Sequence, residues 1–469
     1  MIVRRSEQYI SHWYGKARRK PLILRGARQV GKSTLVRRFA ASQNLTLNEI
    51  NLEKNPELDR VFQSLDVKRI LLEFEGLLGR KIESERSLLF LDEIQATPNA
   101  LAALRYFFEE RPELPVIVAG SLLEFTLAKH AFSMPVGRVE YHHIGPVSFS
   151  EFIACTDPDL NPWREAAARF ETVPESAHRR LLSRMREYFF VGGMPEAVQV
   201  FLDSGSLSEV QDVQRSIAET YQDDFSKYAQ HSDLVRLRRV FAQIPRNIGR
   251  KIKYVNLSRE ERAREIKACV ELLSCAQICQ KVVASHCSGV PLAAEADDDS
   301  YKLIFMDVGM VNFLCGGRWS DISEASEQTL VNEGPLAEQF IGQHLAYLED
   351  GKPHLHYWIR EGKANNAEVD YVVARGSRIL PIEVKAGAGG SLKSIQQFIL
   401  EKNVSQAVRF DLNPSSRVTA AYRARADQTA SAVTFELLSL PLYAVEALVV
   451  NGVTSPQATN KILSVGGWE

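Results

Sequence analysis

The stretch Gly26-Ala27-Arg28-Gln29-Val30-Gly31-Lys32-Ser33 satisfies G-x-x-x-x-G-K-[ST] at each fixed position. Glycines at these two places let backbone N–H groups wrap a phosphate. Lys32 would reach the β- and γ-phosphates, and Ser33 would offer its hydroxyl to Mg²⁺. Thr34 extends the phosphate contacts. The motif needs a strand before it and a helix after it, so that the positive end of the helix faces the loop. The apolar run 21–25 and the stretch 34–40 supply both. Further on, the apolar run 87–91 leads into Asp92-Glu93. Asp92 would hold Mg²⁺, directly or through water, and Glu93 would polarise the attacking water. A solvated acidic turn would explain the same pair in isolation, but downstream of a complete phosphate loop it is the weaker reading.

A third apolar run, 115–119, ends in Gly120-Ser121. Ligands of open α/β sheets bind at the carboxyl ends of strands, so Ser121 could touch the γ-phosphate or the water. It could equally cap the helix beginning at Leu122. Arg138 lies between that helix and the strand-like stretch 139–144. It is either a cation for charge developing on the γ-phosphoryl group or a surface arginine paired with Glu140 or the sheet edge. No N-K-x-D guanine-reading motif is present, which makes ATP the expected nucleotide.

A second chemistry lies in the last third. Glu383 and Lys385, two apart on the strand-like run 379–385, share a face. The turn Arg375-Gly376-Ser377-Arg378 folds the strand 368–373 back alongside, setting Asp370 beside Glu383. Two carboxylates holding a divalent metal, with a lysine near the attacking water, suit phosphodiester hydrolysis. The bland alternative is a hairpin with a surface Asp and an exposed Glu/Lys pair. Charges on so apolar a strand, however, need a partner or a metal.

The chain thus resembles prokaryotic AAA-type ATPases that carry a nuclease-like C-terminal domain of unknown function (DUF4143-like). Gly26–Thr34, Leu88–Gln95, Gly120-Ser121, Gly137-Arg138, Pro146–Phe152 and Gly192-Gly193-Met194-Pro195-Glu196 carry the likeness, which continues to about residue 450. It implies that Ser121 is a sensor 1 residue and that Arg138 is a finger reaching a neighbouring subunit's nucleotide. A homo-oligomer follows, on the pattern of a hexameric ring. The Gly-Gly-Met-Pro-Glu stretch falls where an AAA lid would be, without the arginine of a standard sensor 2. The C-terminal residues resemble a PD-(D/E)XK nuclease core, with Glu338 as its additional helical acid.

The elements that must position these residues read as α/β throughout. The expected layout is a P-loop AAA-type core (1–155), a helical lid (156–229), a winged-helix region (230–320) and a PD-(D/E)XK-like α/β domain (325–450). The winged-helix expectation rests on a helix from about 258 to 273 and on strands at 281–286 and 301–306. Between them runs a loop holding Asp297-Asp298-Asp299. The segment 236–253 has seven basic residues and no acids, and would supply phosphate contacts to DNA. Such a run is also compatible with a solvated face. Cys269, Cys275, Cys279 and Cys287 do not follow paired-knuckle spacing and read as small core residues, with Cys275 and Cys279 sharing one helix face.

The chain has 469 residues, 57 basic and 58 acidic, so bulk charge gives no support for nucleic-acid binding and local patches must carry it. No apolar run is long enough to span a bilayer, and the N-terminus has no apolar segment after Arg4-Arg5, so a cytoplasmic protein is expected. The combined expectation is an oligomeric ATPase using ATP and Mg²⁺, acting on DNA by Mg²⁺-dependent cleavage. The alternative is a regulatory ATPase whose end domain binds nucleic acid or a protein without cutting.

Overall fold

The computed structural model describes residues 2–120, 137–227, 231–317, 333–348, 351–362, 366–387, 392–422, 433–446 and 448. The chain forms two compact units. The first is Met1–Val147, with which Glu271–Ile278 and Asp350–Lys352 group; the second holds the rest.

In the first unit five strands form a sheet in the order β2-β3-β4-β1-β5. They are β1 (Leu22–Arg25), β2 (Thr46–Asn51), β3 (Ser87–Asp92), β4 (Val116–Ala119) and β5 (Glu140–His143), all parallel. β3 and β4 are buried along their whole length, which is why they read as continuous apolar runs rather than alternating ones. β2, half polar in sequence, gives no such signal and is added by the structure. Helices α1 (Ser6–Tyr14), α2 (Lys32–Ser42), α3 (Leu58–Phe62), α4 (Val67–Leu78) and α5 (Asn99–Glu110) accompany the sheet. Phe62, Phe74, Leu104 and Phe107 pack in one cluster with Leu89, Leu91 and Val118. The start of α4 is fixed by Asp66, whose side chain accepts the amides of Lys68 and Arg69. Because the strands are parallel, the loops after β1, β3 and β4 all open at one edge.

His142, on the edge strand β5, stacks on Tyr9, and neither ring nitrogen has a hydrogen-bond partner among the described residues. Burial, with His143, Arg5 and Arg4 nearby, pushes its pKa down from 6.5 to about 3. The unfolded chain therefore binds a proton that the folded chain refuses. The stability this neutral histidine contributes is complete above 6.5 and is lost as the pH falls toward 3. By about pH 5 the expected loss is roughly 2 kcal/mol. Thermal unfolding of the wild type should thus be acid-sensitive between pH 7 and 5, and His142→Phe should flatten that dependence.

The second unit is built on an eight-stranded mixed sheet of order β12-β13-β11-β10-β9-β8-β6-β7. Its strands are β6 (Cys279–Ser285), β7 (Ala296–Phe305), β8 (Leu355–Arg360), β9 (Ala367–Arg375), β10 (Arg378–Val384), β11 (Gln406–Asp411), β12 (Ser416–Tyr422) and β13 (Val433–Pro441). The helix Glu333–Leu348 packs on β7, β8 and β10, and the helix Lys393–Lys402 packs on β9, β10 and β13.

Two expectations about organisation change here. The strands expected as a wing do pair with each other, but β6 also pairs in parallel with β8, so both belong to the large sheet rather than to a separate winged-helix region. Asp297–Asp299 lie within β7, not in a loop. The helices expected as a lid, Asn161–Ala168, Glu175–Val191, Pro195–Ser204 and Leu207–Asp224, group with the second unit, which begins at Ser148 rather than near 155. The physical cause is an aromatic core: Tyr188 meets Phe149, Phe152 and Phe340 edge-on, and Gln343 donates to the Tyr188 hydroxyl.

The Gly192-Gly193 pair belongs to the same packing. Gly192 has φ +74°, and a Cβ there would lie 2.1 Å from Asp307 Oδ2. Fully buried Asp307 accepts the amides of Gly193 (2.6 Å) and Met310 (3.0 Å), the latter starting the helix Val308–Leu314. The Gly-Gly pair is therefore a close helix joint. Cys269, Cys279 and Cys287 are buried, as small core residues should be, but Cys275 is exposed: the helix ends at Cys275 and Cys279 starts β6, so the two share no helix face.

Candidate functional site

At the carboxyl edge of the first sheet, the chain leaves β1 through Gly26–Gly31 and enters α2 at Lys32. Gly31 takes φ +89°, a conformation that turns successive amides inward and that a side chain would resist. Buried Lys32 donates from Nζ to Gly26 O (2.9 Å) and Ala27 O (2.8 Å), so it already spans the loop it closes. Burial pulls its pKa from 10.5 to about 8, against the pull of Glu93 and Asp92, which leaves it cationic at neutral pH. Ser33 Oγ donates to Asp92 Oδ2 at 2.8 Å. The oxygens expected to hold Mg²⁺ are thus in contact, although β4 lies between β1 and β3. Burial raises the Asp92 pKa, and the Ser33 hydrogen bond opposes that shift. Glu93 sits at φ +53° and accepts from Gln95 Nε2 at 2.6 Å. Gln95, which has no separate role in the sequence reading, is therefore what orients the acid.

In the second unit β9 and β10 form the expected hairpin. Ile382 pairs with Tyr371, so Glu383 and Asp370 are the next pair along and share a face. Asp370 Oδ2 accepts the amide of Val384 at 2.7 Å. Lys385 Nζ lies 2.5 Å from Glu383 Oε1, while Glu383 Oε2 is buried with no partner among the described residues. Burial, reinforced by Asp370, pushes the Glu383 pKa up; Lys385 counters it. Glu338 arrives on the helix Glu333–Leu348, fixed to the sheet where the Tyr371 hydroxyl donates to Glu338 O at 2.9 Å.

Two residues not singled out from sequence join this cluster. Lys302 on β7, 1% exposed, places Nζ 2.5 Å from Glu368, 2.9 Å from Glu338 and 3.8 Å from Asp370. Burial alone would lower its pKa; the three carboxylates raise it instead. Glu368 could have been found, since it precedes Asp370 by two on one strand and so shares its face. Lys302 offered a subtler signal, a charge inside the apolar stretch Tyr301–Phe305 that needs a partner. Among the described residues, no three His, Cys, Asp or Glu side chains form a ready metal cage.

Residues 18–153 match the family model described as an AAA domain. The N-terminal unit is an AAA-type P-loop ATPase domain. Residues 182–321 and 333–435 match two models described as domains of unknown function (DUF8612 and DUF4143). The first of these includes β6 and β7, and the second begins before β8. No curated protein matches the chain. Among solved structures, a Walker-type ATPase of Pyrococcus abyssi is similar at 16% identity over 67% of this chain and 96% of its own, with a TM-score of 0.43. The ORC2 protein of Aeropyrum pernix, in ADPNP–ADP complexes, is similar at 10% identity over 66% and 92%, with a TM-score of 0.34. Scores this low do not themselves establish a shared fold; the family match and the phosphate-loop geometry carry the assignment.

Within the AAA domain, Arg138 lies two residues before β5. It therefore lies at the amino edge of the parallel sheet, opposite the phosphate loop, where its Nε pairs with Glu109 at 3.0 Å, not with Glu140. Glu140 pairs with Lys16 instead. Ser121 and the helix after it lie outside the described residues. Among the described residues no helix is long and apolar enough to cross a membrane.

Proposed function

We propose that ATP binding and hydrolysis in the AAA domain drive rearrangement between copies of the chain, and that the second unit acts on DNA by Mg²⁺-dependent phosphodiester cleavage. Ser33 and Asp92 would hold Mg²⁺ with the nucleotide, and Asp370 and Glu383 would hold it at the second site. The observation that carries the cleavage reading is Glu383 Oε2, a carboxylate oxygen buried beside Asp370 with no donor among the described residues. A buried carboxylate oxygen without a donor is costly even when Lys385 pairs with the other oxygen, and a cation at that place removes the cost. When bound there, a divalent ion would activate water and offset phosphate charge. Lys385 would steady the charge developing on the phosphate, and Asp370 is oriented for its part by the Val384 amide.

DNA as the substrate is supported by where the basic segment runs. Arg236, Arg238 and Arg239 are committed to Glu261, Asp223 and Glu260. Further along, Lys251 bridges to Lys302 in the backbone, Ile252 donates to Tyr301 O, and a Cβ on Gly249 would lie 2.6 Å from Glu338 Oε2. Exposed Arg246, Arg250 and Lys253 flank this stretch in sequence and would be available to phosphates. Purified protein incubated with single- and double-stranded DNA, Mg²⁺ or Mn²⁺, with and without ATP, tests the reading: metal-dependent cutting supports it. DNA-stimulated ATP turnover without cutting supports the second reading, a regulatory ATPase, which Lys302 among the acids favours.

An oligomer acting through Arg138 is part of the same proposal: the half-exposed Arg138 lies at the sheet edge away from its own phosphate loop, so a finger role would be toward a neighbour's nucleotide, whereas its ion pair with Glu109 fits a surface arginine. Arg138→Ala should lower turnover tenfold or more with nucleotide affinity nearly intact. Mixing Arg138→Ala with Lys32→Ala chains should restore part of it. A monomer that hydrolyses ATP well would sink this assignment.

A further inference from the structure

Lys32 ties down the first residues of the phosphate loop, through the carbonyls of Gly26 and Ala27. The far end of the loop is held by a residue outside the motif. Arg4, 9% exposed, donates from Nη1 to Val30 O at 3.1 Å and from Nη2 to Gly145 O at 2.7 Å and Pro146 O at 3.2 Å. One guanidinium thus joins the loop to the chain leaving β5. That chain is a firm anchor: the Ile144 amide donates to Arg25 O at 2.7 Å, and a Cβ on Gly26 would lie 2.3 Å from Ile144 O. Arg4 is itself placed from the helix that follows the loop. Its amide donates to Glu7 at 3.4 Å, and Glu7 pairs at 3.2 Å with Arg38 on α2.

The Val30 carbonyl is the telling partner. Val30 lies between Gln29 at φ +63° and Gly31 at φ +89°. Gln29 is not a glycine, and such a backbone angle persists there only when its surroundings enforce it. Gly31, lacking a Cβ, accepts either sign of φ, so sterics alone do not stop the Val30–Gly31 peptide from flipping. In a planar trans peptide the carbonyl and the N–H point opposite ways. Whatever fixes Val30 O therefore fixes where the Gly31 amide is aimed. We propose that Arg4 is a positioning residue for the nucleotide: by holding the Val30 carbonyl it keeps the Gly31 amide turned into the loop, toward a phosphate oxygen of ATP or ADP. It acts through that peptide and not on the phosphate. This rests on the nucleotide site of the AAA domain and is independent of the cleavage reading.

The test is ADP binding by calorimetry beside steady-state ATP turnover, on the full-length chain. Arg4→Met should weaken ADP about tenfold and raise KM for ATP by a similar factor, the scale of one hydrogen bond to a charged group. The kcat should stay within about threefold of wild type, because that bond serves the bound substrate and the transition state alike. A merely structural arginine would lower the melting temperature of the nucleotide-free protein and leave the ADP affinity of the folded chain within about twofold of wild type, which overturns the proposal. A kcat about tenfold lower with affinity unchanged also overturns it, since Arg4 would then act on the reaction and not on the loop. If Arg4→Met does not fold by circular dichroism, Arg4→Lys decides. It keeps the charge, but a single ammonium on a shorter head does not fork between the loop and the chain leaving β5. ADP binding weaker by about threefold or more, with kcat intact, supports the proposal. Wild-type affinity in Arg4→Lys overturns it, because charge alone would then suffice. Either failure leaves the cleavage reading untouched.

Discussion

Lys32→Ala is expected to abolish ATP turnover and to weaken nucleotide binding severely. The lysine is buried and reaches across the loop to Gly26 and Ala27, beside the phosphate cradle built around Gly31. Without it the β- and γ-phosphates lose a charge-assisted partner in a desolvated place, where such contacts are strongest. Glu93→Gln should separate the steps. Nucleotide binding should persist, because the phosphate loop is untouched, whereas hydrolysis should fall by roughly a hundredfold or more, since an amide cannot take the water's proton. Gln95 would still hold the side chain, so the loss would report chemistry rather than misplacement. Radiolabelled ATP binding measured beside steady-state phosphate release checks both. A Glu93→Gln protein turning over at the wild-type rate would remove the acid from this role.

The second large effect is on DNA. Asp370→Ala should reduce metal-dependent cleavage to background while ATP turnover persists. Asp370 is placed by the Val384 amide and by pairing across from Glu383, so its removal takes away half of the expected metal seat without touching the AAA domain. Lys385→Ala should lower the cleavage rate with less effect on metal affinity, because an ammonium assists charge but does not ligate. Gel-resolved cleavage rates, with Mn²⁺ affinity measured on the same samples, distinguish the two. Cleavage that survives Asp370→Ala would show that the cluster is not the cutting site.

The sequence alone determined the phosphate loop, the Asp92-Glu93 pair and the Asp370, Glu383 and Lys385 constellation. Each is contiguous or lies on one hairpin, so its geometry follows from local rules: glycine conformations, strand alternation and a short turn. β3, β4 and β10 were legible for the same reason, as largely apolar runs of strand length. Tertiary structure decided what depends on partners far apart in the chain. β6 and β7 are a locally sound hairpin, and nothing within them reveals that β8, beginning at Leu355, continues their sheet. The helices expected as a lid carry aromatic faces whose partner, Phe340, lies some 150 residues from Tyr188. Lys302 meets Glu338 and Glu368 only because segments far apart in the chain fold together, with the helix Glu333–Leu348 packed on β7. A strand's sequence reports that it must be covered, but the identity of the cover is settled by which distant segments bury the most apolar surface together while pairing every charge they enclose.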